Sequence, residues 1–292
     1  MQSDSLKLHD LINIVYEHGG SDLFLKAHCE PRMKQFGSVA TLPGGPWEKM
    51  TEESIWGLMD QVLSAKQKRI FEDRHEYDMS FVLPGKCRVR CNLYYQRGMP
   101  ASVMRVIPSR IKSLEELGLP GSLGEQTKHK QGLILVTGPT GSGKTTTLAA
   151  LIDIINASRK VHIVTIEDPL EVEHSDKMAY VSQREVHIDT EDFMPAMRAV
   201  VREAPDVILI GEMRDTVTMH TALQAGETGH LVFSTVHTAS AYETLDRVIN
   251  MFPPHEKPHL CQRMANSLRA VIAQKLVPRV DGAGRVVANE IL

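Results

Sequence analysis

Apolar and polar positions follow two regimes along this 292-residue chain. Up to about residue 107 the signals are short and mixed. Leu6, Leu8, Leu11, Ile12, Ile14 and Val15 recur at helical spacing and stop at Gly19. Residues 21–27 (SDLFLKA) and 31–37 (PRMKQFG) read as strands, and 51–74 reads as a helix. Residues 77–83 (YDMSFVL) and 87–98 (CRVRCNLYYQRG) read as two more strands. Without the spacing of βαβ units, this order predicts a small α+β domain over 1–107. Residues 108–131 carry Pro108, Gly118, Pro120, Gly121 and Gly124 and read as a linker with one short helix. From Gly132 the pattern changes. Apolar strands at 132–137, 161–166, 206–211 and 230–236 alternate with helices, one of them around 191–203. Near-continuous apolar strands are buried on both faces, so 132–292 predicts an α/β domain with a parallel sheet. The last residues, GRVVANEIL (284–292), read as another strand, and the expectation is that a C-terminal segment is missing after it.

Composition narrows the class. A hydrophobic share of 42% and a charged share of 24% are those of an ordinary soluble globular protein. A net charge of −3 gives no global attraction for nucleic acid. No apolar run approaches the roughly 20 residues of a membrane helix. The start of the chain has no apolar region with a small-residue cleavage site, so no signal peptide is expected. Cys29, Cys87, Cys91 and Cys261 form no CxxC pair, which disfavours a zinc site or a disulfide framework and suits a reducing compartment.

Candidate chemistry begins at the glycines after the first apolar strand. Gly138, Pro139, Thr140, Gly141, Ser142, Gly143, Lys144 and Thr145 fit G-x-x-x-x-G-K-[ST], and Thr146 follows. The glycines let backbone N–H groups curl around phosphate oxygens. The next helix points its positive end to the same place. Lys144 is expected to reach the β- and γ-phosphates of ATP, and the Thr145 hydroxyl to coordinate Mg²⁺. The plain alternative is a glycine-rich turn with an exposed lysine.

Ligands of open α/β sheets bind beyond the carboxyl ends of strands. Glu167, with Asp168 and Pro169, follows one strand, Glu212 a second and His237 a third. The aspartate usual after four apolar residues is replaced by Gly211, with Glu212 next. Glu212 is expected to orient the attacking water or to hold Mg²⁺ through water. Glu167 would be a second carboxylate polarising water or Mg²⁺, or else a helix cap. His237 could contact the γ-phosphate, or be structural. His230 begins its strand and so falls at the far edge of the sheet.

Residues 86–110 hold Lys86, Arg88, Arg90, Arg97, Arg105 and Arg110 and no acidic residue. Alternation puts Cys87, Val89, Cys91 and Leu93 on one face and Arg88 and Arg90 on the other. Nucleic-acid binding, charge supplied in trans to a neighbour's nucleotide, and a solvated edge are three readings of that face. Arg198 and Arg202, four apart, share a helical face, and Arg214 follows the Glu212 turn. These are further cationic candidates or salt-bridge partners.

With these residues in place the sequence resembles the PilT family, the retraction ATPases of type IV pili. The matching stretches are GPTGSGKTTT, TIEDPLE, VSQREVHIDT, REAPDVILIGEMRD, AGETGHLVFSTVHTASA and DRVINMFPP, with GGSDLFL and CRVRCNLYYQRG in the N-terminal part. The resemblance implies a PAS-like N-terminal domain, a RecA-like P-loop ATPase domain and a homohexamer with ATP and Mg²⁺ between subunits. It places Glu167 on the Asp-box glutamate, Glu212 on the catalytic glutamate, and His230 and His237 on the His-box histidines. It matches Arg88, Arg90 and Arg105 to arginines that reach the nucleotide in trans. It also implies a cytoplasmic motor docked on the inner membrane, with a pilus platform protein and a second retraction ATPase as partners, and no nucleic acid. Retraction ATPases carry an A-I-R-N-L-I-R-E motif in a C-terminal helical region, and this chain ends before it. The missing CxxC pairs argue against the PilB and GspE branch, while the PilU paralogue stays open. A RecA-like translocase on nucleic acid is the competitor from another class, disfavoured by the net charge and by 5% aromatics. A scaffold that binds nucleotide without turnover is disfavoured by the two strand-end carboxylates.

Overall fold

The computed structural model describes residues 6–108, 110–213, 215–280 and 284–292. The chain divides into two compact units, one up to Arg110 and one from Ile111 to Leu292.

The first unit is one antiparallel sheet with three helices. Its elements are α1 (Leu8–Glu17), β1 (Asp22–Lys26), β2 (Arg32–Gln35), β3 (Ser38–Thr41), α2 (Glu52–Met59), α3 (Ala65–Arg74), β4 (Glu76–Leu83), β5 (Cys87–Gln96) and β6 (Met99–Pro108), with strand order β3-β2-β1-β6-β5-β4. Leu8, Leu11, Ile12 and Val15 of α1 pack with Leu58 and Phe71 and with the Cys87, Val89, Cys91 and Leu93 face of β5. Two tight hairpins close the sheet. Arg97 and Gly98 have φ of 55° and 77°, and Phe36 and Gly37 have φ of 49° and 86°. Positive φ at both central residues matches the twist of the flanking strands. The helix expected over 51–74 is two helices. Ser64 accepts from the backbone N–H of Gln67 at 3.3 Å while the Gln67 side chain accepts from the Ser64 N–H at 2.8 Å, and this capping box starts a new helix.

The second unit is a seven-stranded sheet of order β13-β12-β7-β11-β10-β8-β9, parallel except for β13. Its strands are β7 (Gly132–Thr137), β8 (His162–Glu167), β9 (Tyr180–Glu185), β10 (Val207–Ile210), β11 (Leu231–Val236), β12 (Leu268–Pro278) and β13 (Arg285–Ile291). Its helices are α4 (Lys144–Ser158), α5 (Phe193–Val200), α6 (Thr216–Glu227), α7 (Ala241–Asn250) and α8 (Lys257–Ser267). Alternate residues of each central strand serve opposite faces. Leu133, Leu135, Val164 and Ile208 pack under α5 to α8, and Ile134, Val136, Ile163 and Phe233 pack under α4. Of the stretch 108–131, expected to be a linker, residues from Ile111 onward group with this second unit. Leu114, Leu119 and Leu123 are buried against the α4 face, because leucines set beside Gly118, Pro120, Gly121 and Gly124 have apolar area to bury. Arg202 lies beyond the last residue of α5, so Arg198 and Arg202 do not share a helix. Arg214 falls outside the described residues.

Candidate active site

The turn after β7 is shaped by what surrounds it. Gly138 has φ 146°, and a Cβ there would collide with the Gln274 carbonyl oxygen and with Ser142 Oγ. Gly141 and Gly143 have φ of 76° and 90°, conformations that only glycine adopts readily. Gly143 caps α4, so the first N–H groups of a fifteen-residue helix open onto the loop. The loop therefore offers backbone donors at a helix start, and it fits a phosphate chain. Thr145 is half-buried and Thr146 exposed on the first turn of α4, while Pro139 and Thr140 are exposed on the rim.

Lys144 is buried, and its Nζ donates to the Gly138 and Pro139 carbonyls at 2.8 and 3.1 Å. Burial pulls its pKa below the usual lysine value, while Glu212 and Glu171 oppose the shift. Nζ is also 3.5 Å from His237 Nδ1, and His237 Nε2 is 3.3 Å from Glu212 Oε1. An ammonium facing Nδ1 requires a lone pair there, which puts the ring proton on Nε2, toward the carboxylate. Lysine, histidine and glutamate from three strand ends thus form one chain across the mouth of the loop.

Glu167 closes β8 and is buried. Burial pushes its carboxyl up to about 7, and the Gln183 amide, 3.4 Å away, works against that shift. A carboxyl that titrates near neutrality can exchange a proton at physiological pH. Gly211, which stands where an aspartate is usual, sits in a tight place. A Cβ at Gly211 would lie 3.2 Å from the Ile166 carbonyl oxygen and 3.4 Å from Glu167 Cα. The ends of β8 and β10 lie close together here, and the carboxylate at this strand end is that of Glu212. No group of three His, Cys, Asp or Glu residues among the described residues is arranged to hold a metal by itself. A hydroxyl at Thr145 and a carboxylate at Glu212 are hard oxygen donors, a set that suits Mg²⁺ completed by substrate phosphates.

The family model for type II/IV secretion system proteins matches residues 57–290. The type IV pilus retraction ATPase PilT of Pseudomonas aeruginosa is 43% identical over 287 residues, which is 98% of this chain and 82% of that protein. The chain belongs to the PilT family. The crystal structure of the pilus retraction motor PilT with bound ADP matches with a TM-score of 0.90 at 43% identity, covering 98% of this chain and 83% of that one. The type IV pilus ATPase PilU of Pseudomonas aeruginosa is 38% identical over 98% of this chain and 74% of its own length.

Within this PilT-family chain not every expected residue joins the cluster. His230 lies at the opposite edge of the sheet, one residue before β11, with its Nδ1 3.0 Å from the Ala225 carbonyl at the end of α6. There it meets the end of α6 and not the Lys144–His237–Glu212 cluster. The three arginines lie on the first unit. Arg88 Nη2 donates to Ser80 Oγ at 2.8 Å, Arg105 pairs with the buried Asp22 at 3.2 Å, and Arg90 stands across the β5–β6 pair from Arg105. Sequence reasoning also missed supporting residues. Thr137 Oγ1 donates to the Thr238 carbonyl at 2.8 Å and accepts from its N–H at 3.1 Å, which ties the His237 loop to β7. Arg247 Nη1 donates to the His237 carbonyl at 2.9 Å. The Gln183 side chain joins Glu167 to the 172–174 loop, donating to the Val172 carbonyl at 2.9 Å and accepting from the His174 N–H at 2.7 Å. These are non-local contacts of ordinary polar residues. Gln183, Thr238 and Arg247 do lie inside the family stretches VSQREVHIDT, AGETGHLVFSTVHTASA and DRVINMFPP, the one signal that could have found them.

Proposed function

We propose that this chain is the subunit of a hexameric, RecA-like ATPase motor that retracts type IV pili and so drives twitching motility. The observation that carries the reading is the Lys144–His237–Glu212 chain at the mouth of a glycine cradle, in a chain 43% identical to a retraction ATPase. The backbone N–H groups of residues 138–146 bind the phosphates of ATP, and Lys144 leaves the loop carbonyls to meet the terminal ones. Thr145 and Glu212 are the residues that would hold Mg²⁺, which when bound supplies charge neutralisation at the phosphates. Glu212 orients a water for in-line attack on the γ-phosphorus as the bond to the β–γ bridging oxygen breaks. His237 couples Glu212 to Lys144, and Glu167 accepts or returns a proton nearby.

In this reading the first unit is a PAS-like domain, and Arg88, Arg90 or Arg105 supplies charge to the nucleotide of a neighbouring subunit. The motor works on the cytoplasmic face of the inner membrane against a pilus platform protein. The 38% identity to PilU supports a second reading, an accessory retraction ATPase working beside another motor.

Glu212→Gln tests the chemistry. It should bind ATP with wild-type affinity while kcat falls on the order of 10²-fold or more. Wild-type turnover in that variant removes Glu212 from the role. Loss of retraction in a deletion strain, compared with mere weakening under load, separates the principal motor from the accessory one.

A further inference from the structure

Gln274 lies on β12, and its surroundings single it out. The parallel register sets Ala273 opposite Thr137, so Gln274 comes level with Gly138 as the chain leaves the sheet. It is 3% exposed, in a strand position that a purely structural core would fill with an apolar side chain. Its Nε2 donates to the Ser142 carbonyl oxygen at 2.9 Å. Its main-chain carbonyl occupies the space that a Cβ on Gly138 would need, and its Nε2 stands 3.2 Å from where a Cβ on Gly143 would be. One residue therefore packs against the first and the last glycine of the loop. The amide orientation follows from chemistry, because its oxygen facing the Ser142 carbonyl would set two acceptors against each other.

The Ser142–Gly143 peptide is planar and trans, so its C=O and N–H point in opposite directions. Holding the Ser142 carbonyl down toward β12 turns the Gly143 N–H up into the cradle. Glycine at 143 widens the range of rotations open to this peptide. We propose that Gln274 is a positioning residue for phosphate binding: its amide locks the Ser142–Gly143 peptide with the N–H presented to the nucleotide. The donor is then oriented before substrate arrives, and binding is not taxed by ordering it. Gln274 Oε1 and Ser142 Oγ are both buried without a hydrogen-bond partner.

The inference rests on the reading of this chain as an ATPase, and the test separates the two. Gln274→Met keeps the length and volume of the side chain and removes the donor. It should raise the Kd for ADP and the KM for ATP about tenfold and leave kcat within twofold. Gln274→Glu gives an independent arm. A protonated carboxyl can donate to the Ser142 carbonyl and a carboxylate cannot, so its Kd for ADP relative to wild type should worsen as pH rises. An unaltered Kd for ADP in Gln274→Met overturns the proposal, as does a pH-independent ratio in Gln274→Glu. A wild-type chain that neither binds ADP nor hydrolyses ATP overturns the ATPase reading itself.

Discussion

Glu167 shows how a single residue carries a pH dependence. Its carboxyl, raised by burial to about 7 from an ordinary 4.5, is uncharged below that window. A raised pKa contributes stability that is fully present at low pH and lost as pH climbs through 4.5 to 7, because the buried carboxylate must then be desolvated. Glu167→Gln is shaped like the protonated form and escapes that cost. Its stability relative to wild type should therefore grow between pH 5 and pH 8, by on the order of 3 kcal/mol. Urea unfolding at the two pH values checks this, and an equal difference at both would mean that Glu167 titrates normally. Its partner Gln183 was visible in the sequence only as a letter within a motif. The contact that matters joins β9 to the end of β8, and no spacing along the chain encodes it.

At the scale of elements, the loop carrying His237 is held by several anchors. Thr137 at the end of β7 pairs with both backbone groups of Thr238, and the Thr238 hydroxyl reaches Thr244 on α7 at 2.6 Å. The Ser240 hydroxyl and the Glu290 carboxylate on β13 accept N–H groups of the first turn of α7. Thr137→Val preserves shape but strands the Thr238 N–H and C=O. The expected loss is about 1–3 kcal/mol in unfolding free energy. Turnover should fall with it, since His237 loses its fixed place between Lys144 and Glu212. Unchanged stability would show that Thr238 finds other partners. The strands and the phosphate loop were legible because apolar runs and glycines announce themselves locally. The split of 51–74 and the fate of 111–131 were not. The Ser64–Gln67 box was hidden inside a longer apolar rhythm, and the leucines of 111–131 had no visible destination.

At the scale of the whole molecule, the proposed motor divides its site between neighbours in a ring, the geometry that head-to-tail interfaces produce. Arg88 and Lys144 then act in different subunits. Lys144→Ala and Arg88→Ala should each abolish most ATP turnover alone. Mixed before assembly in equal amounts, they should recover activity at about a quarter of the interfaces, those that pair an intact loop with an intact arginine. No recovery on mixing would place both residues in the service of one subunit's site. Among the described residues no helix is long and apolar enough to cross a membrane.

Local chemistry alone determined much of this protein. The alternation of apolar strands with helices, the order of strand-end residues and the glycine–lysine loop are properties of neighbouring residues, so the amino-acid sequence displays them directly. Tertiary structure decided which of those ends meet. It set His237 between Lys144 and Glu212, placed His230 at the opposite edge, and put Gln274 under the loop. Each of these depends on strand order and register, which arise from burying two faces of one sheet at once.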